Sequence, residues 1–363
     1  MRDLVSILIP CYNGEKFLDR CFECLLKQIY EKIEIIIVND GSTDNSENII
    51  LKYKKDIEQK GFKFLYIYQE NGGAASAINT ALKHVNGEFI MLYDVDDIIF
   101  KDAVKEKTEF LINNPDYDMV RNNGYYVDNS DLDKINGMFS DGENIKNENI
   151  FEYLILGKAN NWPASFMVRT ESLFSHIKDK EIYISQFGQN LQIMLPVAYF
   201  GKTGYINKPL MKYIRHENSH SAFTSNEKRL RLINGYEENR IEIIKQLDIP
   251  QEKKEKYFKQ IAILYYRIRM QIAYQTKDIE LFNIFDEDVL FNLRKNKTSE
   301  EKVSEIKKVI NYDLTKNDAE KYYYTKTKYP NYFVSLDEFE NGKIHVRLLI
   351  EGVEDTISKI YIK

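Results

Sequence analysis

The first hundred residues alternate between short apolar runs and helical periodicity. Val5 to Ile9 is a β-branched run that predicts a buried parallel strand, and Pro10 ends it. Phe17, Leu18, Cys21, Leu25 and Leu26 follow at helical spacing. Ile33 to Val38 predicts a second buried strand ending at Asn39-Asp40-Gly41-Ser42, and Thr43 to Ser46 offers N-caps for a helix through Ile49, Ile50 and Tyr53. A third strand, Phe62 to Tyr68, gives way to Gln69-Glu70-Asn71-Gly72-Gly73 and then to a helix over Ala74 to His84. Asn86-Gly87 turns the chain into a fourth strand that ends at Asp94. This alternation predicts an α/β, Rossmann-like, mostly parallel sheet flanked by helices. In such sheets ligands bind at the carboxyl ends of the strands. Those ends carry Tyr12, Asp40, Asn71 and Asp94.

Beyond Lys101 the pattern loosens. A helix is expected over Ala103 to Ile112, short strands at Met119-Val120 and Tyr125 to Val127, and a polar, mobile loop over Asp128 to Asn149. Phe151 to Leu156 and Leu191 to Phe200 read as helices; Trp162 to Arg169, Tyr205-Ile206 and Leu210 to Ile214 read as strands. After Ser225 the character changes to two long helical patterns, Lys228 to Leu247 and Lys253 to Tyr274, followed by an aromatic, β-branched tail with period two over Lys343 to Ile350. The expected division is therefore an α/β domain over 1–225 and a mainly helical C-terminal extension over 226–363 with a small β-containing tail.

Composition narrows the class. The chain has 363 residues, 43% of them hydrophobic and 29% charged, enough for a sizeable core. A net charge of -5 argues against nucleic acid as a partner. Three cysteines make no disulfide framework, and Cys21 and Cys24 lie within a helical pattern with no second pair for zinc. Met1-Arg2-Asp3 runs straight into the first strand and no apolar run reaches membrane-spanning length, so a cytoplasmic compartment is expected. The stripe Phe258, Ile261, Tyr265, Ile268 and Ile272, interspersed with lysines and arginines, has two readings: a core face, or a peripheral contact with the inner face of the cell membrane.

The fourth strand carries the chemistry. Asp94, Asp96 and Asp97 crowd three carboxylates into four positions at the end of a buried strand. Like charges this close raise one another's pKa unless a cation neutralises them. A hard divalent ion, Mg²⁺ or Mn²⁺, that also carries a phosphate meets that need. The plain alternative is a solvated acidic turn.

Several stretches together resemble the family 2 glycosyltransferases of GT-A fold. They are Val5 to Asn13 (VSILIPCYN), Ile35 to Ser46 (IIIVNDGSTDNS), Asn71-Gly72-Gly73 with Asn79, Gly87, and the Asp94-Val95-Asp96-Asp97 run, spread over roughly residues 4 to 221. The resemblance implies a nucleotide-sugar donor (a UDP-sugar), a divalent metal and inversion at the anomeric carbon, in bacterial surface polysaccharide synthesis. Carried over by position, Pro10, Tyr12, Asn13, Glu15, Asp40, Asn71, Gly72 and Asp94 are the expected donor-binding residues, with Tyr12 stacking on the base and Asp40 bonding it. Asp94, Asp96 and His216 are the expected metal residues.

Two departures stand out. Many members carry a Glu-Asp pair late in the domain whose Asp serves as base. Here the stretch reads Phe187-Gly188-Gln189-Asn190-Leu191-Gln192, and an amide cannot take a proton at neutral pH. Asp97 and Glu181 are the alternative bases, while Gln189, Asn190 and Gln192 suit hydrogen bonds to acceptor hydroxyls; Asp97, Gln189 and Asn190 are the catalytic candidates. The other departure is Ile78, where the family often has Arg before Asn79. Two functions follow: a transferase acting on a glycan or lipid-linked acceptor, or a sugar-nucleotide-binding scaffold subunit. A nucleotidyltransferase would want a Gly-rich basic loop after the first strand, and Cys11 to Phe17 is neither.

Overall fold

The computed structural model describes residues 1–216 and 225–275, together with strands Tyr332–Glu340, Lys343–Ile350 and Ile360–Tyr361. The chain divides into two units, Met1–Tyr265 and Tyr266–Lys363. The division falls later than residue 225, because the first long C-terminal helix and most of the second belong with the α/β unit.

The N-terminal repeat runs β1 (Val5–Cys11), α1 (Glu15–Leu26), β2 (Ile33–Asp40), α2 (Ser46–Gln59), β3 (Lys63–Gln69), α3 (Ala74–Leu82) and β4 (Phe89–Leu92). There follow β5 (Ile98–Ile99), α4 (Ala103–Asn113), β6 (Met119–Asp128), β7 (Asp131–Met138), α5 (Phe151–Ile155), β8 (Phe166–Arg169), α6 (Thr170–His176), α7 (Leu191–Phe200), β9 (Thr203–Arg215), α8 (Asn226–Gln246) and α9 (Gln251–Gln275). The nine-stranded sheet has the order β3-β2-β1-β4-β8-β6-β9-β5, with β7 pairing β6. It is parallel through β3, β2, β1 and β4 and again between β6 and β9. The inserted strands β5, β7 and β8 pair antiparallel.

Every residue of β2 and almost every residue of β1 is buried, as expected of strands covered on both faces. Ile7 lies opposite Ile35 on one side and Met91 on the other, which aligns the three strand ends carrying Cys11, Asp40 and Tyr93. The apolar stripe of α1 seals one face with Leu18, Cys21, Phe22 and Leu25. All three cysteines are buried free thiols. Burial pushes the Cys11 thiol up to about 11 and raises those of Cys21 and Cys24.

Two expectations change. The polar stretch after Asp128 forms a hairpin, with β7 returning along β6 through two register shifts. The two short strands expected on either side of Gly124 are one strand, β6, and Tyr205 to Ile214 likewise lies within one strand, β9. Their pairing slips where Ile206 faces Asn122 and Pro209 faces Asn123, so Asn207 and Lys208 bulge without ending the strand. Of the two readings of the α9 stripe, the core face is seen at Ile261, Tyr265 and Ile272, which are buried, while Phe258 and Ile268 are half-buried; the neighbouring Tyr257 packs edge-on against Phe151 at 4.9 Å. No helix of the described residues is long and apolar enough to cross a membrane.

The second unit contains β10 (Tyr332–Glu340), β11 (Lys343–Ile350) and β12 (Ile360–Tyr361) in one antiparallel sheet. The period-two pattern over Lys343 to Ile350 is β11.

Candidate active site

The site lies where β1, β2, β3 and β4 end. The first two βα loops are sewn together by side chains. Asn13, in the left-handed region at φ 50°, accepts from the Thr43 amide at 2.8 Å, while its own N–H donates to Ser42 Oγ at 3.0 Å. Glu15 Oε2 accepts from the Asn45 amide at 3.0 Å, and the Glu15 amide donates to Asp44 Oδ2 at 3.0 Å. These two expected donor-binding residues thus commit their side-chain oxygens to the neighbouring loop. Pro10 is the penultimate residue of β1, opposite Val38, so the proline does not stop the strand, and Tyr12 just beyond it stands 48% exposed.

Asp40 is 2% exposed and closes the third loop. Its Oδ1 accepts from Gln69 Nε2 at 2.7 Å and the Gly72 amide at 2.9 Å; its Oδ2 accepts from the Gly73 amide at 2.8 Å. Gly41 is required here: it has φ +72°, and a Cβ would come 2.8 Å from the Asn71 amide nitrogen. Asn71 and Gly72 are exposed at the mouth.

The β4–β5 turn holds the acidic cluster. Asp94 receives a forked contact from Gln189 Nε2, at 3.3 and 3.5 Å to its two oxygens. Burial, with Asp96 adding repulsion, pushes the Asp94 carboxyl up to about 7, and the Gln189 bond opposes this. Burial also raises Asp96, while His216 and Arg20 pull it down. His216 Nε2 stands 3.5 Å from Asp96 Oδ2, is buried, and has no hydrogen-bond partner. Asp97 is only 1% exposed. Its Oδ1 accepts from the Ile214 amide at 3.0 Å, and burial, then Asp96 and Asp94, raise its carboxyl well above the ordinary range. That placement suits anchoring the turn to β9 rather than touching an acceptor.

The amide pair sits at the start of α7. Asn190 Oδ1 is buried without a partner. Glu181, the other alternative base, is exposed and paired with Lys83 at 2.9 Å. Gln192 donates to the Gly188 carbonyl at 2.5 Å and so braces the loop from within.

Two contributors, Arg20 and Phe17, escaped sequence reasoning, and a third, Asn79, enters it only as a motif residue with no role. Arg20 donates from α1 to the Asp96 carbonyl at 2.6 Å, and Phe17, one turn earlier, packs against the His216 ring at 5.1 Å. Arg20 lies three residues after Phe17 and one before Cys21, and a cation beside that buried stripe is the available signal. Asn79 clasps residue 182 from α3, donating to the Ile182 carbonyl at 2.9 Å and accepting its amide at 2.8 Å. This holds the segment leading to Gln189.

The residues present suit a hard cation. Among the described residues no three candidate side chains form a ready-made cage. A magnesium-like ion that keeps waters and substrate phosphates needs only one or two protein ligands. Asp96 and Asp94 offer carboxylates for that role, and His216 Nε2, without a hydrogen bond and 3.5 Å from Asp96 Oδ2, offers a nitrogen that a transition metal such as Mn²⁺ accepts more readily than Mg²⁺.

A mostly parallel sheet whose strand ends gather an exposed tyrosine, a buried aspartate and an acidic turn has the GT-A arrangement. The comparisons agree. The model of the family described as glycosyl transferase family 2 matches residues 6–182. An uncharacterized glycosyltransferase of Rickettsia typhi is 38% identical over 122 residues, 34% of this chain and 36% of that protein. Glycosyltransferase GlyG of Streptococcus pneumoniae is 40% identical over 132 residues, 36% of this chain and 42% of that protein. The matches thus span less than half of these relatives' lengths. Among solved structures, S. aureus TarS 1-349 in complex with UDP-GlcNAc shares the fold at TM-score 0.57 and 18% identity, with 99% of each chain covered. The mannosyltransferase PcManGT from Pyrobaculum calidifontis, in complex with GDP-Man and Mn2+, gives 0.50 at 13% identity over 85% of this chain and 81% of that one.

Proposed function

We propose that the chain is an inverting, divalent-metal-dependent glycosyltransferase. It moves one sugar from a nucleotide donor, a UDP-sugar, to a glycan or lipid-linked acceptor in surface polysaccharide synthesis. The observation that carries this reading is the unpaired His216 Nε2 beside Asp96 and Asp94, at the same sheet edge as Tyr12 and Asp40. Tyr12 stacks on the base. Asp40 shapes the base pocket by fixing the Gly72-Gly73 backbone. Asp96 and His216 would hold the cation, with Asp94 beside them. A bound Mn²⁺ or Mg²⁺ supplies neutralisation of the charge that builds on the departing diphosphate. Gln189 aligns Asp94, and Asn190 offers its free oxygen to an acceptor hydroxyl.

A second reading has specific support. Gln189 and Asn190 are both amides, so neither can take the acceptor's proton. A subunit that binds the donor and does not transfer fits them. A thermal-shift screen of nucleotide sugars with Mn²⁺ or Mg²⁺, run with Asp96→Ala in parallel and followed by assay of donor turnover, separates the readings. A shift for one donor that needs both metal and Asp96, with turnover, is expected. The same shift without turnover selects the binding subunit. No shift with any donor overturns both.

A further inference from the structure

A second half-buried surface lies beside the acidic turn. Trp162, the chain's single tryptophan, stacks on Tyr213 with ring centroids 4.2 Å apart at 29°. Tyr126 meets both rings edge-on, each at 6.1 Å, and the Arg215 guanidinium lies 4.9 Å from the Tyr126 centroid. Strand alternation puts Tyr213 and Arg215 on one side of β9 and Ile214, whose amide holds Asp97, on the other. His216 follows Arg215 directly. Trp162 is tied to the same turn from its far side: the Ala164 amide donates to the Leu92 carbonyl at 2.6 Å, two residues before Asp94.

The wall is held from behind by a hydrogen-bonded relay. Arg121 and Glu143 form an ion pair at 2.5 Å with side chains 2% and 4% exposed. Glu143 Oε2 accepts from the Asn160 amide at 3.1 Å and from its Nδ2 at 3.0 Å. The Tyr126 hydroxyl donates to Asn160 Oδ1 at 2.7 Å and accepts from Trp162 Nε1 at 2.9 Å. Ala164 adopts a left-handed φ of 60°, and its carbonyl accepts from the buried Lys107 Nζ at 3.0 Å. Simple packing of a tryptophan needs neither a buried ion pair nor a strained alanine, both of which cost stability. The relay fixes the polar edges of Trp162 and Tyr126, and the three rings are half-buried rather than sealed in the core.

We propose that Trp162, Tyr126 and Tyr213 form the platform on which a sugar ring of the acceptor lies, with Arg121 and Glu143 as positioning residues. Aromatic faces flanked by a few polar groups are what binds a ring with one apolar face. The inference rests on the glycosyltransferase reading. Because Trp162 is the sole tryptophan, its emission reports the platform directly. The full chain, with UDP and Mn²⁺ present, is titrated with the methyl glycosides of glucose, galactose and N-acetylglucosamine. A saturable emission change with at least one of them is expected, and it is lost in Glu143→Gln while the UDP thermal shift stays. Where transfer is measurable, Trp162→Ala raises the acceptor KM about tenfold, equivalent to about 1.4 kcal/mol, with donor affinity held and Trp162→Phe restoring most of it. No emission change with any glycoside, or an acceptor KM within about twofold of the parent in Trp162→Ala, overturns the proposal. A missing donor shift in the parent protein instead sinks the glycosyltransferase reading, and the glycoside titration still decides the platform.

Discussion

The two halves of the cleft are built on opposite rules. Along the loops after β1, β2 and β3, Asn13, Glu15, Asp40 and Asp44 all accept hydrogen bonds from neighbouring backbone or side chains. Around the acidic turn, Asp97 Oδ2, Asn190 Oδ1, His216 Nε2 and Arg20 Nε are buried without hydrogen-bond partners. An unsatisfied buried polar group costs about 1–3 kcal/mol. Folding alone therefore completes the first half and leaves the second with unspent hydrogen-bonding capacity that a ligand can use.

Four substitutions test that contrast. The largest effect is expected from Asp96→Ala, which should abolish metal-dependent donor stabilisation and lower transfer about a thousandfold, equivalent to about 4 kcal/mol. Its ligand-free melting temperature should not fall, and a clear fall would make Asp96 part of the scaffold. Next is Asp40→Ala, which strands the Gly72 and Gly73 amides and the Gln69 amide group. Urea unfolding without ligand should show a loss of about 2–4 kcal/mol, since charge-assisted bonds to a buried carboxylate are removed. Asn79→Ala breaks a reciprocal pair and should cost about 1–3 kcal/mol; amide exchange over residues 181–190 should quicken with it. Smallest is Asn190→Ala, within about 0.5 kcal/mol of the parent, because the oxygen it deletes has no partner to lose. A loss as large as that of Asp40→Ala would erase the contrast.

The same contrast explains what could be read from the sequence. The four strand ends, and so the position of the cleft, followed from apolar runs that stop at Pro10, Asp40, Gln69 and Asp94. Which polar residue faces a ligand did not follow. Asn13 and Glu15 look the same in sequence whether they bond a nucleotide or the loop beside them, and the structure commits them to the loop. The β7 strand was hidden because Asp131-Leu132-Asp133-Lys134-Ile135 is mostly exposed and pairs with register shifts, so no clean alternation marks it. Arg20, Asn79 and Arg121 act through partners 76, 103 and 22 positions away along the chain, distances at which local periodicity carries no signal.

The sealed thiols have a practical consequence. Cys11, Cys21 and Cys24 are all buried, and burial raises each above its ordinary thiol value, so none presents a thiolate to reagents at neutral pH. The native protein should resist maleimides and mild oxidants while folded. A cysteine introduced on an exposed loop, at Asn71 for example, would then be the one reactive handle. The parent chain is thus ready for attaching a single spin label or fluorophore to follow cleft opening.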